Sequence, residues 1–417
     1  MKLRRVVVTG LGALTPIGNN INEYWEGLST GKSGAAPITH FDVSKFKTQF
    51  ACEVKNFEVT DYLDRKEARK MDKFCQYAMV ASAEAIEDAG MNLEALDPDR
   101  IGVIWGAGIG GIQTFQEEVI NFATGDGTPR FNPFFIPKMI ADIAPGLISI
   151  KYGFRGPNFA TVSACASSAN AMIDALNYIR LGYADIIVSG GSEAAVTASG
   201  MGGFNAMHAL STRNDSAQTA SRPFDKTRDG FVLGEGAGAL ILEEYEHAKA
   251  RGAKIYAELA GGGLSADAHH MTAPHPEGLG AKKVMLNCLE DAGLKPEQVD
   301  AINMHGTSTP LGDLAESKAI KEVFGEHAYE LNINSTKSMT GHLLGAAGAI
   351  EAIASILAIK NSLVPPTINH ETHDENIDPK LNLTLNKAQK REVSVAMSNT
   401  FGFGGHNACV LFKKLDD

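Results

Sequence analysis

The sequence has few cysteines, no long uninterrupted apolar run and no excess of positive charge. Its five cysteines are odd in number and form no Cys-x-x-Cys pair, which argues against a disulfide framework or a structural zinc site and indicates a reducing compartment. No segment approaches the roughly 18 apolar residues of a membrane span, and the N-terminus lacks a signal-peptide core. A net charge of −11 disfavours general nucleic-acid binding. We therefore expect a protein of the cytoplasm, or of an organelle after loss of a transit peptide, that contacts neither membrane nor nucleic acid.

The chain instead carries 43 glycines, and its apolar stretches alternate between strand-like and helix-like spacing. That alternation is typical of an α/β protein with a largely parallel sheet. We predict strands at residues 5–9, 101–105, 159–162, 186–189, 238–242, 255–261, 301–304, 333–335, 393–397 and 408–412. We predict helices at residues 22–28, 65–90, 112–122, 136–150, 243–251, 282–293 and 346–359, and one after residue 165.

The second part of the chain repeats the pattern of the first. Residues 87–90 and 290–293 both read Glu-Asp-Ala-Gly at the end of a predicted helix. A second match, between residues 172–175 and 349–352, has an offset of 177 residues that pairs Cys165 with His342. We therefore predict two duplicated halves, residues 1–253 and 254–417, packed as one body about a pseudo-twofold axis. The alternative is generic α/β periodicity, which does not account for the shared letters and offset.

Cys165 lies where a predicted strand passes into a helix, in the stretch Thr-Val-Ser-Ala-Cys-Ala-Ser-Ser at 161–168. A thiol at a helix N-terminus is near the positive end of the helix dipole, which favours the nucleophilic thiolate. Ala164 and Ala166 are small and leave room for a substrate beside the sulfur. The alternative is a buried and inert cysteine, which is the commoner role of a free thiol.

Three further polar stretches follow predicted strands. His305 begins the first, Lys337 and His342 belong to the second, and Phe401 lies in the third, a glycine-rich loop. Ligands of parallel α/β sheets bind beyond the C-terminal strand ends, so we expect these residues to gather near Cys165. Each histidine taken alone is more often a surface or core residue than a catalytic one, whereas their joint placement favours catalysis.

A different class of function is suggested by Gly106-x-Gly108-x-x-Gly111, which matches the dinucleotide-binding fingerprint. That fingerprint also requires an acidic residue at the end of a second strand about 20 residues later, and a helix and loop occupy this interval instead. We therefore disfavour a nicotinamide-dependent oxidoreductase. The paired histidines at 269–270 and the spaced pair at 370 and 373 lack the companions of a metal site, and we predict no metal.

Several longer motifs together resemble the β-ketoacyl-acyl-carrier-protein synthases of the thiolase fold. They are VVVTGLGALTPIGN, TVSACASS, RPFDKTRDGFVLGEGAG, HGTSTPLGD, NSTKSMTGHLLGAAGAIEA and SNTFGFGGHN, and the match runs essentially end to end. The resemblance implies an α/β, thiolase-like fold of two duplicated βαβ halves packed as α-β-α-β-α layers. It favours a Cys-His-His elongating synthase of fatty acid biosynthesis. A polyketide-type ketosynthase of the same fold and an inactive partner subunit are the alternatives, and the retained Cys165 argues against the latter.

The resemblance implies a decarboxylative condensation without any cofactor. Cys165 is then the acyl acceptor, and the backbone N–H groups of Cys165 and Phe401 form the oxyanion hole. His305 and His342 are expected to stabilise the charge that develops when malonyl-acyl carrier protein loses CO₂. In the resulting reaction, the carbanion attacks the acyl group on Cys165 and extends it by two carbons.

The resemblance also implies a supporting network. Lys337 is expected to have a structural or electrostatic role, in which it holds the tautomer of His342 and interacts with acidic neighbours. The candidates for those neighbours are Asp313, Glu316 and Glu351.

Substrate-binding roles follow from the same likeness. Thr307 and Thr309 are expected to bind the pantetheine arm, although simple turn capping is the alternative. Phe401 is expected to act as a gate whose loop moves because of Gly402 and its neighbouring glycines. Ile109 is expected to lie in the acyl pocket, where its size helps to set chain length.

The expected partners are acyl carrier protein and a second copy of the chain as a homodimer. Acyl carrier protein is acidic, so its approach to a chain of net charge −11 requires a local basic patch. We predict that patch on one side of a single helix, at Arg65, Lys66, Arg69, Lys70 and Lys73. A solvated helix face without a partner is the alternative.

Overall fold

The computed structural model describes residues 3–415. Within that range the strands are β1 (Val6–Leu14), β2 (Ala36–Pro37), β3 (Phe50–Ala51), β4 (Ile101–Gly106), β5 (Asn158–Thr161), β6 (Ile186–Glu193), β7 (Gly236–Glu244), β8 (Ala257–Ala266), β9 (Ala301–Asn303), β10 (Asn332–Asn334), β11 (Leu363–Val364), β12 (Gln389–Lys390), β13 (Val395–Gly402) and β14 (His406–Lys413). The α-helices are α1 (Ile21–Thr30), α2 (Arg65–Ala68), α3 (Lys73–Asp88), α4 (Ile112–Thr124), α5 (Phe135–Met139), α6 (Ile143–Tyr152), α7 (Ser167–Arg180), α8 (Ala198–Ala206), α9 (Tyr245–Ala250), α10 (Leu279–Ala292), α11 (Pro310–Phe324), α12 (Lys337–Thr340) and α13 (Ala347–Asn361).

Ten of these strands form one sheet whose order is the same from its centre outwards in both directions. The order is β10-β9-β13-β14-β8-β1-β7-β6-β4-β5. Each half contributes five strands to this sheet. When those five are counted in chain order, the first lies at the centre, and the fifth, fourth, second and third follow outwards. The halves join where β1 meets β8 through the pairs Val7 with Glu258 and Val8 with Ala257. Two copies of one βαβ arrangement therefore pack about a pseudo-twofold axis.

The helices cover both faces of the sheet and fill the space between the two halves. α7 and α13 pack on each other and on strands of both halves, and their side chains belong to one core cluster. α3 and α6 cover the outer side of the first half, and α10 and α11 cover the outer side of the second. The predicted α-β-α-β-α layering is confirmed.

α13 is apolar on every side because it lies at the centre of the molecule. Ala347 to Ile359 are all buried, as expected for a helix without a solvent-facing side. The stretch Leu344–Asn361 is long and apolar enough, by length and composition, to cross a membrane, but 89% of it is buried inside the protein. Its apolar composition is accounted for by its place in the core.

Two predicted helices are each divided into two. The predicted helix at 65–90 becomes α2 and α3, because Asp72 caps α3 through the N–H of Phe74 and interrupts the helix there. The predicted helix at 136–150 becomes α5 and α6. Pro145 lies in the first turn of α6, where its missing N–H has no intrahelical partner to lose. Most strands run a few residues beyond their predicted ends.

Candidate active site

Cys165 lies on a tight turn between β5 and α7. Ala164 has a φ of +51°, a left-handed conformation uncommon for a residue with a side chain, and it reverses the chain just before the thiol. The N–H groups of Ala166 and Ser167 donate to the carbonyls of Ser163 and Ala164 at 3.1 and 3.2 Å, which begins the helix. The sequence thus holds the sulfur at the start of α7, in a position that is 7% exposed.

His342 lies on the equivalent turn of the second half. Gly341, with a φ of +68°, corresponds to Ala164 at the offset of 177 residues. The Nε2 atom of His342 is 3.0 Å from the Sγ atom of Cys165. The proximity predicted from the internal repeat is confirmed, and this contact crosses between the two halves.

His305 completes the cluster from the loop after β9. Its ring centroid is 5.2 Å from that of His342, with the two planes nearly perpendicular at 86°, and 5.6 Å from that of Phe401. The N–H groups of His305 and Gly306 donate to the two carboxylate oxygens of Glu316 at 3.0 Å each. Glu316 therefore fixes the backbone that carries the ring.

Lys337 pairs with Glu351 in the interior. Their side chains are 1% and 0% exposed and in direct contact. The expectation that Lys337 holds the tautomer of His342 is wrong, because the Nδ1 atoms of His342 and His305 have no hydrogen-bond partner among residues 3–415. Lys337 acts on both rings through its charge instead, because it adds to the larger effect of burial in lowering their pKa values.

Asp313 belongs to a separate cluster, which corrects its predicted place beside Lys337. Its carboxylate accepts from the N–H groups of Phe224 and Ser308 at 3.0 and 3.2 Å. Arg228 lies 3.4 Å from the same carboxylate. Asp313 thus joins two loops near the site to α11 but does not contact Lys337 in this arrangement.

Burial opposes charge on the thiol of Cys165 and on both imidazole rings. Burial raises the pKa of Cys165 to about 12, and Lys337 lowers it only in part. Burial, reinforced by the charge of Lys337, holds the pKa values of His305 and His342 well below their usual 6.5. Desolvation therefore opposes the thiolate that the helix start favours, and it is the largest influence on the pKa of Cys165.

The backbone donors at the sulfur differ from the predicted pair. The N–H groups that act on the Cys165 thiol, and lower its pKa, are those of Phe403 and of Cys165 itself. Phe403, two residues beyond the predicted Phe401, is therefore the second candidate donor of an oxyanion hole. Gly402 allows this close approach, because a Cβ there would lie 2.6 Å from the carbonyl oxygen of Ser163.

The predicted substrate-binding residues all line one cavity of about 610 Å³. Besides Cys165 and both histidines, the wall contains Ile109, Thr307, Thr309, Phe401 and Gly402. The hydroxyls of Thr307 and Thr309 are 3.1 Å apart. The cavity draws its walls from both halves, as the contact between Cys165 and His342 requires.

The predicted basic patch is spread over α2, the turn that follows it and the first residue of α3. Arg65, Lys66, Arg69 and Lys70 are exposed, and Lys70 pairs with Glu67 at 2.8 Å. Lys73 differs from them because it begins α3, is half-buried, and has its Nζ atom 3.1 Å from the Nε2 atom of His40. The single-helix arrangement is wrong, and Lys73 does not share the exposure of the other four.

Sequence reasoning missed Glu193, Phe403 and Phe231. Glu193 is fully buried at the end of β6 and accepts from the N–H groups of Gly108, Ile109 and Gly110. These are the N–H groups that a dinucleotide would need, so the fingerprint glycines serve a carboxylate of the chain itself. Its position at a strand end, beside the predicted strand 186–189, was a usable signal.

Phe231 packs against the site and lies within the motif RPFDKTRDGFVLGEGAG, although the motif alone does not indicate this role. Its ring centroid is 5.3 Å from that of His342, at an interplanar angle of 82°. Only the folded loop before β7 brings this side chain to the cavity.

A duplicated α/β sheet with a cysteine and two histidines at the junction of its halves defines a condensing enzyme of the thiolase-like fold. The chain belongs to the β-ketoacyl synthase family. The model of the N-terminal domain of that family matches residues 3–248, and the model of its C-terminal domain matches residues 256–371. The resemblance inferred from the sequence motifs is confirmed.

Within the family, the similar proteins include those named 3-oxoacyl-[acyl-carrier-protein] synthase 2, which is the β-ketoacyl synthase II type. The protein of that name from Synechocystis is 52% identical over 99% of both chains. The one from Coxiella burnetii is 49% identical over the whole of both chains. The solved structure of a β-ketoacyl synthase from Burkholderia phymatum is 35% identical with a TM-score of 0.91, covering 99% of this chain and all of the other.

A polyketide system provides a further similar structure. It is a type II polyketide acyl carrier protein in complex with its ketosynthase, 35% identical with a TM-score of 0.89 over 99% of this chain and all of the matched chain.

The raised pKa of Cys165 predicts how its alkylation depends on pH. Iodoacetamide reacts with the thiolate, so the rate at Cys165 should rise about tenfold per pH unit between pH 7 and 9 without a plateau. Lys337→Met should slow the reaction at every pH, because Lys337 lowers the pKa of the thiol. Intact mass and peptide mapping measure the rate, and Lys283→Met, an exposed lysine of α10, is the control. A plateau below pH 8 would show a thiolate at rest.

Proposed function

We propose that this chain catalyses the elongation step of type II fatty acid synthesis, the condensation of acyl-acyl carrier protein with malonyl-acyl carrier protein to β-ketoacyl-acyl carrier protein and CO₂. The observation that carries the proposal is the contact of 3.0 Å between Cys165 and His342, with His305 beside it in the same cavity. Relatives about 50% identical over the whole chain, all named 3-oxoacyl-[acyl-carrier-protein] synthase 2, support it.

The first half of the reaction loads the acyl group. The Sγ atom of Cys165 attacks the thioester carbonyl, and its proton passes to the Nε2 atom of His342, which lies within hydrogen-bond reach. The N–H groups of Cys165 and Phe403 stabilise the oxyanion of the tetrahedral intermediate. The pantetheine thiolate then leaves and takes the proton back from His342, so the enzyme ends as a neutral thioester.

The second half breaks one carbon–carbon bond and forms another. Loss of CO₂ from the malonyl group leaves its electron pair as an enolate, whose oxygen accepts from the N–H groups of His305 and His342. The enolate carbon attacks the acyl carbonyl on Cys165, and the C–S bond to Cys165 breaks. The thiolate that leaves takes up one proton from solvent, which is the proton that the decarboxylative condensation consumes. No outside cofactor is needed, because decarboxylation supplies the driving force.

The unpartnered Nδ1 atoms make this double role of His342 possible. A histidine whose Nδ1 atom is fixed by a hydrogen bond keeps one tautomer, whereas His342 has no such bond within the described residues. In the first half the ring proton is on Nδ1, and Nε2 accepts the proton of the thiol. In the second half the ring proton is on Nε2, which donates a hydrogen bond, so the neutral ring changes tautomer between the two halves of the reaction. The lowered pKa keeps the ring neutral between the two events.

The remaining cavity residues bind the substrate. Thr307 and Thr309 contact the amides of the pantetheine arm, Ile109 bounds the acyl chain, and Phe401 opens and closes the path to Cys165 on the loop that contains Gly402. Their shared place in the wall of the cavity supports these roles.

Acyl carrier protein is the proposed partner, and its proposed contact is the exposed basic group Arg65, Lys66, Arg69 and Lys70. The complex of a similar ketosynthase with its acyl carrier protein supports this partner. We further propose a homodimer in the cytoplasm. Support for the dimer comes from a run of exposed apolar side chains around α4 and α5, at Phe115, Val119, Ile120, Phe122, Phe131, Phe134 and Ile136. Support for the cytoplasm comes from five free, buried cysteines.

A polyketide-type ketosynthase is the second candidate. The solved ketosynthase of a polyketide system is 35% identical, against about 50% for relatives named for fatty acid synthesis, so the observations favour elongation. The presence of Cys165, His305 and His342 in one cavity argues against an inactive partner subunit.

Acyl transfer should leave a covalent adduct on Cys165. Incubation with acyl-acyl carrier protein alone should raise the intact mass by one acyl group, and addition of malonyl-acyl carrier protein should give a product two carbons longer. Cys165→Ala should abolish both, whereas Cys75→Ala, which removes another buried thiol, should change neither. Survival of the adduct in Cys165→Ala would contradict the proposal.

The two histidines should separate by their effects on the half-reactions. His305→Ala should be acylated at a near-normal rate but lose malonyl decarboxylation by about a hundredfold or more, because one enolate donor is gone. His342→Ala should lose decarboxylation similarly and should also acylate slowly, because the acceptor of the thiol proton is absent. Adduct formation and CO₂ release measure the two steps. Normal decarboxylation by either variant would show that the histidine it lacks does not stabilise the enolate.

Charge reversal in the basic group should affect the carrier protein rather than the chemistry. Arg69→Glu with Lys70→Glu should raise KM for acyl-acyl carrier protein about tenfold or more, because it repels the acidic partner. The rate with a short acyl-pantetheine substrate should change little. Lys380→Glu with Lys387→Glu, the same charge change on exposed lysines elsewhere, is the control. Equal effects on both substrates would contradict the docking site.

A further inference from the structure

Glu193 is a buried carboxylate that binds backbone N–H groups from both halves of the chain. Its Oε2 atom accepts from Gly108 at 2.8 Å and from Gly345 at 3.0 Å. Its Oε1 atom accepts from Ile109 at 3.1 Å and from Gly110 at 3.2 Å. No ion pair within residues 3–415 includes this carboxylate, so the four N–H groups take the place of a counter-ion.

The two segments that Glu193 joins are walls of the cavity that contains Cys165. Gly108 and Ile109 come from the loop after β4, and Leu344 precedes Gly345 just after His342. The segments touch each other, because a Cβ on Gly345 would lie 2.1 Å from the nitrogen of Gly108. A carboxylate at this point therefore sets the distance between the walls.

Backbone hydrogen bonds hold the two ends of the Ile109 loop, from Ala107 to Thr161 and from Gly111 to Met139, and Glu193 holds the three residues between them. Residues 107–111 belong to neither a helix nor a strand, and Gly110 has a φ of +79°. Three consecutive N–H groups of this loop donate to the one side chain. The Ile109 side chain is 42% exposed and lines the cavity, so its position follows from the backbone rather than from core packing.

We propose that Glu193 is a positioning residue that fixes the Ile109 and Leu344 walls of the acyl cavity and thereby limits the length of acyl chain that the site accepts. The inference rests on the proposed function, since it assigns a specificity role within the same cavity. Glu193 does not touch the reacting atoms in this role. It acts through the backbone that carries Ile109.

Glu193→Gln is the substitution that tests the carboxylate with little change in shape. An amide offers one acceptor oxygen, and its NH₂ group faces N–H donors, so at least two of the four backbone groups lose their acceptor. The part of the cavity wall formed by Ile109 should then be free to move, so that the cavity accepts longer acyl chains. We expect the ratio of kcat/KM for a sixteen-carbon to an eight-carbon acyl-acyl carrier protein to rise about fivefold or more.

Glu84→Gln is the matched control. Glu84 is also a mostly buried carboxylate that accepts from two backbone N–H groups, those of Ala13 and Ile21 at 2.8 Å each, but it does not line the cavity. A loss of stability alone would affect both variants, whereas only Glu193→Gln should change the chain-length ratio. An unchanged ratio in Glu193→Gln, or an equal change in Glu84→Gln, would overturn the inference.

Ile109→Ala identifies the route of the effect. If Glu193 acts through Ile109, then Glu193→Gln should add little to the altered ratio of Ile109→Ala in the double variant. Fully additive effects would overturn the inference. The wild type provides the reference for both hypotheses. Its failure to condense the two substrates would refute the proposed function. If the wild type condenses them and Glu193→Gln leaves the chain-length ratio unaltered, only the inference about Glu193 is refuted.

Hydrogen exchange of the wild type covers the case in which Glu193→Gln does not fold. The amides of residues 108–110 lie outside regular secondary structure but should be protected, because they donate to a buried carboxylate. Protection of these amides would support the role of Glu193 as a positioning residue. Free exchange of these amides would overturn the inference without any variant.

Discussion

One buried positive charge organises the electrostatics of the site. The ammonium group of Lys337 lies in the interior against Glu351, and it acts on Cys165, His305 and His342 at once. Its charge favours a thiolate over a thiol and a neutral imidazole over a charged one. Both preferences suit a reaction that creates negative charge at the sulfur and then at the malonyl oxygen. Glu351 is needed because an unpaired charge at this depth would be costly.

Several carboxylates around the site are also buried, and burial disfavours their charged form. Burial raises the pKa values of Glu193, Glu316 and Glu351 to about 7, although each accepts hydrogen bonds or faces Lys337. Glu316 holds the loop of His305, and Glu193 holds the loop of Ile109. Acidic side chains in this protein thus fix the loops that no helix or strand supports.

The sequence predicted most of this arrangement because its signals were local or repeated. The shared offset of 177 residues located His342 opposite Cys165, and the strand-end rule located His305. It named Glu351 as one of three acidic candidates for Lys337 but could not choose among them, because the pairing of a lysine depends on which acidic residue the fold brings beside it. The ionisation of Cys165 is hard to predict for a related reason: a helix start is visible in the sequence, whereas the depth of burial that raises the pKa of Cys165 is not.

Errors at the edges of elements have equally physical causes. The division of α2 from α3 depends on Asp72, whose carboxylate also accepts from the N–H and the hydroxyl of Thr114 on α4. In the sequence pattern, Asp72 looks like one more polar position of a continuous helix. In the structure it is the N-cap of α3, and its bonds to Thr114 on α4 fix it there. Phe231 and Phe403 likewise acquire their places only from loops that the fold closes over the site.

The two turns at Ala164 and Gly341 show that the backbone does not distinguish a nucleophile from a base. Each turn has a left-handed residue followed by a side chain aimed at the junction of the halves, and the two are related by the pseudo-twofold axis. The division of labour in the proposed reaction therefore comes from the unequal surroundings of two equal positions. At this pair of turns, a duplicated chain trace carries two side chains of different chemistry.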